Sequence, residues 1–160
     1  MLYGKQTGAV PKKGKKEKAK NYSLMNEAKA NKKEGTLWKW FSLFIRLRGC
    51  PDNSQGFGPC FTGGGIDRYK NMDAGHFISR RYKNTKYDER NVHMQSVHHN
   101  RDLSGNLAVY AEKLGPELVE ELTRLSKVPA KKMPLWEVEA KIAEYRQKAK
   151  DEAYRVGVTL

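Results

Sequence analysis

All four histidines of this chain lie between Asp73 and Asn106, in the stretches DAGHFISR and NVHMQSVHHNRDLSGN. His76 stands three residues after Asp73, while His93, His98 and His99 crowd together just before Asn100. Phosphodiester hydrolysis asks for such residue types. A base activates water, a cation neutralises charge on the phosphate and leaving oxygen, and donors hold the backbone. Imidazole titrates near neutrality and suits the base. Carboxylate and amide oxygens, with imidazole help, hold a hard divalent ion such as Mg²⁺ or Mn²⁺ and leave positions open. His76 is the candidate base and Asp73 a candidate metal ligand. Asn100 or His99 could reach the same metal from the first turn of a helix, where a phosphate is also favoured. Asn91, His93, His99 and Asn100 form a polar concentration where a strand should enter that helix. Between the two halves, Arg80, Arg81, Lys83 and Lys86 are placed to track a nucleic-acid backbone, although a solvated loop accounts for them equally well.

These roles demand particular elements. Asn71 to Ser79 reads as a short strand, Asn91 to Gln95 as a second, and a short helix should start near His98 or His99. ββα-sized pieces therefore fit between residues 70 and 106. In a flat strand, residues three apart face opposite ways, so Asp73 and His76 converge only if the strand bends. Gly75 lies between them, and a glycine inside a strand often marks a bulge. A bulge at Gly75 is the geometric expectation.

The rest of the chain reads as scaffold. Leu37, Trp40, Phe41, Phe44 and Ile45 recur near helical spacing, so a first helix is expected over Thr36 to Leu47, with Thr36 as its cap. Residues 49 to 65, with Gly63, Gly64 and Gly65, read as loop. Helices are expected at Leu107 to Leu114, Glu117 to Ser126 and Trp136 to about Arg155, with Pro134 opening the last. Residues 1 to 35 carry Lys12, Lys13, Lys15 and Lys16 among Gly, Pro and Ala, and read as a flexible basic arm that adds affinity for DNA without reading its sequence. Three regions result: an arm over 1–35, a core with its leading helix over 36–106, and a helical extension over 107–160. The fold class is α+β.

The 160 residues carry a net charge of +13, a field that attracts polyanions, nucleic acid foremost. No apolar run is long enough to span a membrane, and the N-terminus lacks the order of a signal peptide, which favours the cytoplasm. The two cysteines, Cys50 and Cys60, are expected as free thiols or metal ligands rather than a disulfide.

The DAGHFISR and DERNVHMQSVHHNRDLSGN motifs closely resemble the lambda NinG (Rap) family of phage recombination endonucleases, within the HNH or ββα-metal superfamily. The resemblance runs from about Arg48 through KLGPELVEEL into the Trp136–Lys148 helix. It implies a small ββα-metal (HNH-like) core and a metal-dependent endonuclease of branched DNA, such as Holliday junctions or D-loops, in the cytoplasm of a bacterial host. It implies His76 as general base, Asp73 and Asn100 at a catalytic Mg²⁺ or Mn²⁺, and His93 as either phosphate contact or ligand. A homodimer would suit symmetric cutting of a junction. The family's paired CxxC motifs, which hold a structural zinc, are mostly lost here. The first reads Cys60, Phe61, Thr62, Gly63 and the second Ser96, Val97, His98, His99. Loss of the zinc, or a substitute set drawn from Cys50, Cys60, His99 and His98 or His93, are the two expectations. Those losses motivate a second reading, a non-catalytic DNA-binding recombination accessory protein. A basic virion or ribonucleoprotein structural protein is a third.

Overall fold

The computed structural model describes residues 13–160, with side chains from Tyr22 onward. One long helix, α1 (Lys13–Arg48), forms its spine. The expected boundary at residue 35 thus falls inside a helix, and residues 13–35 are helical rather than a loose arm. Lys12 lies outside the described residues, and of Lys13, Lys15 and Lys16 only the helical backbone is described. The extension has a physical cause. Ala30 is buried against the last helix, α5 (Leu135–Val156), and the Glu27–Lys132 and Lys33–Glu139 ion pairs tie the same face down. Glu27 and Lys33 are thus the polar edge of a packed helix.

Residue numbers rise together along the α1–α5 contact, from Lys33–Glu139 to Arg155 donating to the Leu47 carbonyl, so the two helices run parallel. The apolar stripe expected on α1 is the core: Leu37, Phe41, Phe44 and Ile45 pack on Val138, Tyr145 and Ala149. Phe41 meets Tyr87 and Tyr145 edge-on at centroid distances of 5.3 and 4.9 Å, a favoured aromatic geometry.

Two antiparallel hairpins sit against this spine. β1 (Phe57–Pro59) pairs with β2 (Ile66–Arg68), within and just beyond the segment read as loop. Its strands are three residues long and its connection is Gly-rich, so no alternating pattern announces it. β3 (Met72–His76) pairs with β4 (Val92–Ser96). Both are strands expected from the sequence, the first shorter than expected. The connection between them holds a single helical turn, α2 (Lys83–Lys86). After β4 comes a π-helical turn (His98–Asp102), then α3 (Leu107–Leu114) and α4 (Pro116–Lys127). The fold is α+β with two small antiparallel sheets.

The bulge expected at Gly75 is absent. The β3–β4 ladder runs one to one, Met72↔Ser96, Asp73↔Gln95, Ala74↔Met94, Gly75↔His93 and His76↔Val92. Gly75 is there for another reason. A Cβ on it would collide with the Gln95 amide and stand 2.9 Å from Asn100 Oδ1. The glycine lets two side chains cross close over the strand. Within the described residues, no helix is long and apolar enough to cross a membrane.

Candidate functional site

Asp73 and His76 leave β3 on opposite faces, as a regular strand requires, yet they line one cleft of about 660 Å³. β3 belongs to a two-stranded sheet, so one of its edges pairs with no other strand. Trp38 and Ser42 of α1 form one wall, and Asn100 and Arg101 of the π-helical turn form another.

His76 is fixed on two sides. Its Nε2 lies 2.9 Å from the Lys86 carbonyl oxygen, and its ring stacks on Trp38 at 5.4 Å between centroids. A carbonyl only accepts, so Nε2 carries the proton and Nδ1 is the basic nitrogen of the neutral ring. Burial lowers the pKa of His76; the Lys86 carbonyl opposes this, while the Arg80 and Lys86 charges add to it. The imidazole is therefore neutral and able to accept a proton at pH 7.

Asp73 gathers the polar groups of the π turn. Its carboxylate accepts from Asn100 Nδ2 at 2.9 Å and from Arg101 Nε and Nη2 at 2.8 and 2.9 Å. Burial raises its pKa, but the hydrogen bonds from Arg101 and Asn100 outweigh that and hold it below the usual carboxylate range. The turn reaches Asp73 because the chain reverses after it. Ser104, Gly105 and Asn106 all take left-handed φ angles, of 50°, 88° and 48°. Gly105 N–H then closes on the His99 carbonyl at 2.9 Å.

Asn91 supports the cleft from beneath. It is fully buried, accepts from Ile78 N–H at 2.7 Å, and donates to the Ile78 and Thr85 carbonyls at 2.9 Å each. These bonds fold the β3–β4 connection, which carries Arg80, Arg81 and the carbonyl that holds His76. Its role is positional, a purpose the sequence pattern alone did not separate from metal binding.

The remaining candidates disperse. His93 lies outside the Asp73 cleft: it stacks on Phe61 at 3.9 Å and pairs through Nδ1 with the Tyr110 hydroxyl at 3.0 Å. Burial pushes its pKa down to about 4, with the Arg48 charge adding to the effect. His98 is exposed and meets Asp102 across one turn. His99 points toward the Gly-rich β1–β2 connection, its Nδ1 2.9 Å from Thr62 Oγ1. Among the described residues, no three His, Cys, Asp or Glu side chains converge as a metal-holding group. Of the basic residues expected along the loop, Arg80 lines the cleft and Arg81 its extension, Lys86 pairs with Glu34, and Lys83 lines a separate cavity beside Glu27 and Lys132.

Two metal sites can be tested against these donors. Asp73 and Asn100 set a carboxylate beside a carboxamide whose nitrogen faces it; with the amide turned over, its oxygen would join the carboxylate in holding Mg²⁺ or Mn²⁺, which keep several waters and need few protein ligands. The zinc set does not fit. Cys60 Sγ accepts from Ser96 N–H at 3.1 Å and lies 3.6 Å from Thr62 Oγ1, and Thr62 in turn bonds His99. Cys50 is buried and turned to the Arg46 carbonyl. Only Cys60 and His99 remain near that place, half of the four ligands a structural zinc takes. A hydrogen-bonded cluster of Cys60, Thr62, Ser96 and His99 fills the position instead. Thr62 joins it without any metal-ligand signature in the sequence.

A parallel helix pair carrying a β-hairpin whose free edge opens on a His/Asp/Asn cleft defines a small α+β class of protein. Over residues 4–154 the chain matches the family model described as Bacteriophage Lambda NinG protein, and it belongs to that phage recombination-related family. No curated protein and no solved structure matches it.

Proposed function

We propose that this protein is a divalent-metal-dependent DNA endonuclease acting on branched recombination intermediates, built on an HNH-like ββα core formed by β3, β4 and the π-helical turn. One observation carries the reading: a neutral histidine with its tautomer fixed by the Lys86 carbonyl shares a cleft with the Asp73 carboxylate and the Asn100 carboxamide hydrogen-bonded to it. Asp73 and Asn100 would hold Mg²⁺ or Mn²⁺, which supplies charge neutralisation at the phosphate and the leaving oxygen. His76 Nδ1 takes a proton from water as the water oxygen attacks phosphorus. The P–O3′ bond breaks, and O3′ leaves with the electron pair and is protonated from solvent. Arg80 lines the cleft as a cation for the phosphate, and Arg101 would be released to meet a phosphate oxygen were the Asp73 carboxylate to hold the metal.

The test is cleavage of four-way junction, flap and plain duplex DNA with Mg²⁺, with Mn²⁺ and with chelator. Metal-dependent nicking that favours branched forms is expected. Binding without cutting under every metal condition would instead favour the accessory-protein reading, which the lost cysteine pairs motivate.

A further inference from the structure

Near its middle, α1 carries an exposed glycine that packing does not explain. Gly35 is exposed, and a Cβ placed on it would meet nothing within 4 Å. Glycine is among the poorest helix formers, and no turn or close contact requires it here. It does lie on a stripe. Asn31, Gly35, Trp38 and Ser42 are spaced four, three and four residues apart, one face of the helix, and that face lines two cavities in succession. One is the 660 Å³ cleft of Asp73, His76 and Asn100. The other, of about 560 Å³, continues from it past Arg81. Trp38, Ser79 and Arg80 line both, so the two form one groove.

The charge of that groove selects its occupant. Glu34 also lines it but is paired with Lys86. Among the described residues Arg80 and Arg81 pair with no carboxylate; Arg81 meets only the Tyr82 hydroxyl and ring. Two cations opposite an uncrowded helix face suit a phosphodiester backbone, as in strand-binding grooves.

We propose that the Asn31–Gly35–Trp38–Ser42 face of α1 and the Arg80–Arg81 segment form a groove for the DNA strand flanking the scissile phosphate, and that Gly35 is the point where the missing side chain leaves the strand room. This rests on the nuclease reading of the adjoining cleft and deepens it.

The experiment compares Gly35→Ala, Gly35→Leu and Arg80→Ala/Arg81→Ala with the full wild-type chain, using a junction oligonucleotide. Leucine is a better helix former than glycine and its Cβ meets nothing within 4 Å, so Gly35→Leu keeps or raises Tm. By excluding the strand from both arginines, it weakens DNA binding by roughly tenfold or more. The slope of log K against log salt falls by about two, as in the double arginine variant. Gly35→Ala behaves as wild type. Undiminished binding by Gly35→Leu overturns the groove while leaving the nuclease reading intact, and so does a lowered Tm, which would make Gly35 a packing residue. Failure of the wild type to bind DNA at all overturns both.

Discussion

Replacing Asn91 by alanine should damage stability and chemistry together, by amounts that follow from its three hydrogen bonds. The side chain is fully buried and satisfies Ile78 N–H, the Ile78 carbonyl and the Thr85 carbonyl. Each such bond contributes about 1 kcal/mol net, so the loss of all three is about 3 kcal/mol. In a chain of this size that corresponds to a fall in Tm of roughly 6–12 °C. The chemical effect is transmitted through the β3–β4 connection, because Lys86 supplies the carbonyl that fixes His76. Cleavage kcat should fall well beyond the unfolded fraction at a temperature where the variant is still folded. Chemical denaturation and single-turnover cleavage of the same preparation measure both quantities. A destabilisation under 1 kcal/mol with unchanged cleavage would refute the claim that Asn91 organises this loop.

Three further outcomes are expected. Because burial holds the folded His93 pKa at about 4, below the ordinary His value, the unfolded chain binds more protons between those values. Stability should therefore fall as pH drops from about 6.5 to 4, and His93→Gln should flatten that dependence in urea titrations; an identical slope would contradict it. In buffer free of Mg²⁺ and Mn²⁺ a strong chelator should leave Tm unchanged, while Thr62→Val, which removes the hydroxyl bridging Cys60, Gln95 and His99, should cost about 2 kcal/mol; a chelator-induced drop in Tm that His99→Ala abolishes would instead place a structural metal at Cys60 and His99. Arg101→Ala removes the cation facing Asp73, and after allowance for solvent screening should tighten Mn²⁺ binding by roughly fivefold in calorimetry; an unchanged affinity would show that Arg101 does not compete for the carboxylate.

The elements that periodicity and punctuation define were legible in the sequence. The α1 stripe from Leu37 to Ile45 is core, and Leu107–Leu114 is a helix with the expected bounds. What was not legible depended on partners distant in the chain. Residues 13–35 looked like a charged tail because the residues that dock that helix, Lys132, Val138 and Glu139, come a hundred positions later. The site divides in the same way. Asp73, His76 and Asn100 were picked out by residue type, and the cleft unites them. The strand does not bulge; Asp73 and His76 line one cleft from opposite faces of β3. His93 and His99 have the chemistry of ligands, but Phe61 and Tyr110 claim the first and Thr62 the second. Residue type and spacing carry no record of that competition.

His76, beside Asp73 and Asn100, is proposed to activate water for phosphodiester hydrolysis. Single-turnover cleavage of a four-way junction by His76→Ala, with junction affinity measured in parallel, tests it most directly. Affinity within about threefold of wild type and a cleavage rate lowered by at least about a hundredfold are expected. Cleavage by His76→Ala at the wild-type rate would rule out His76 as the base.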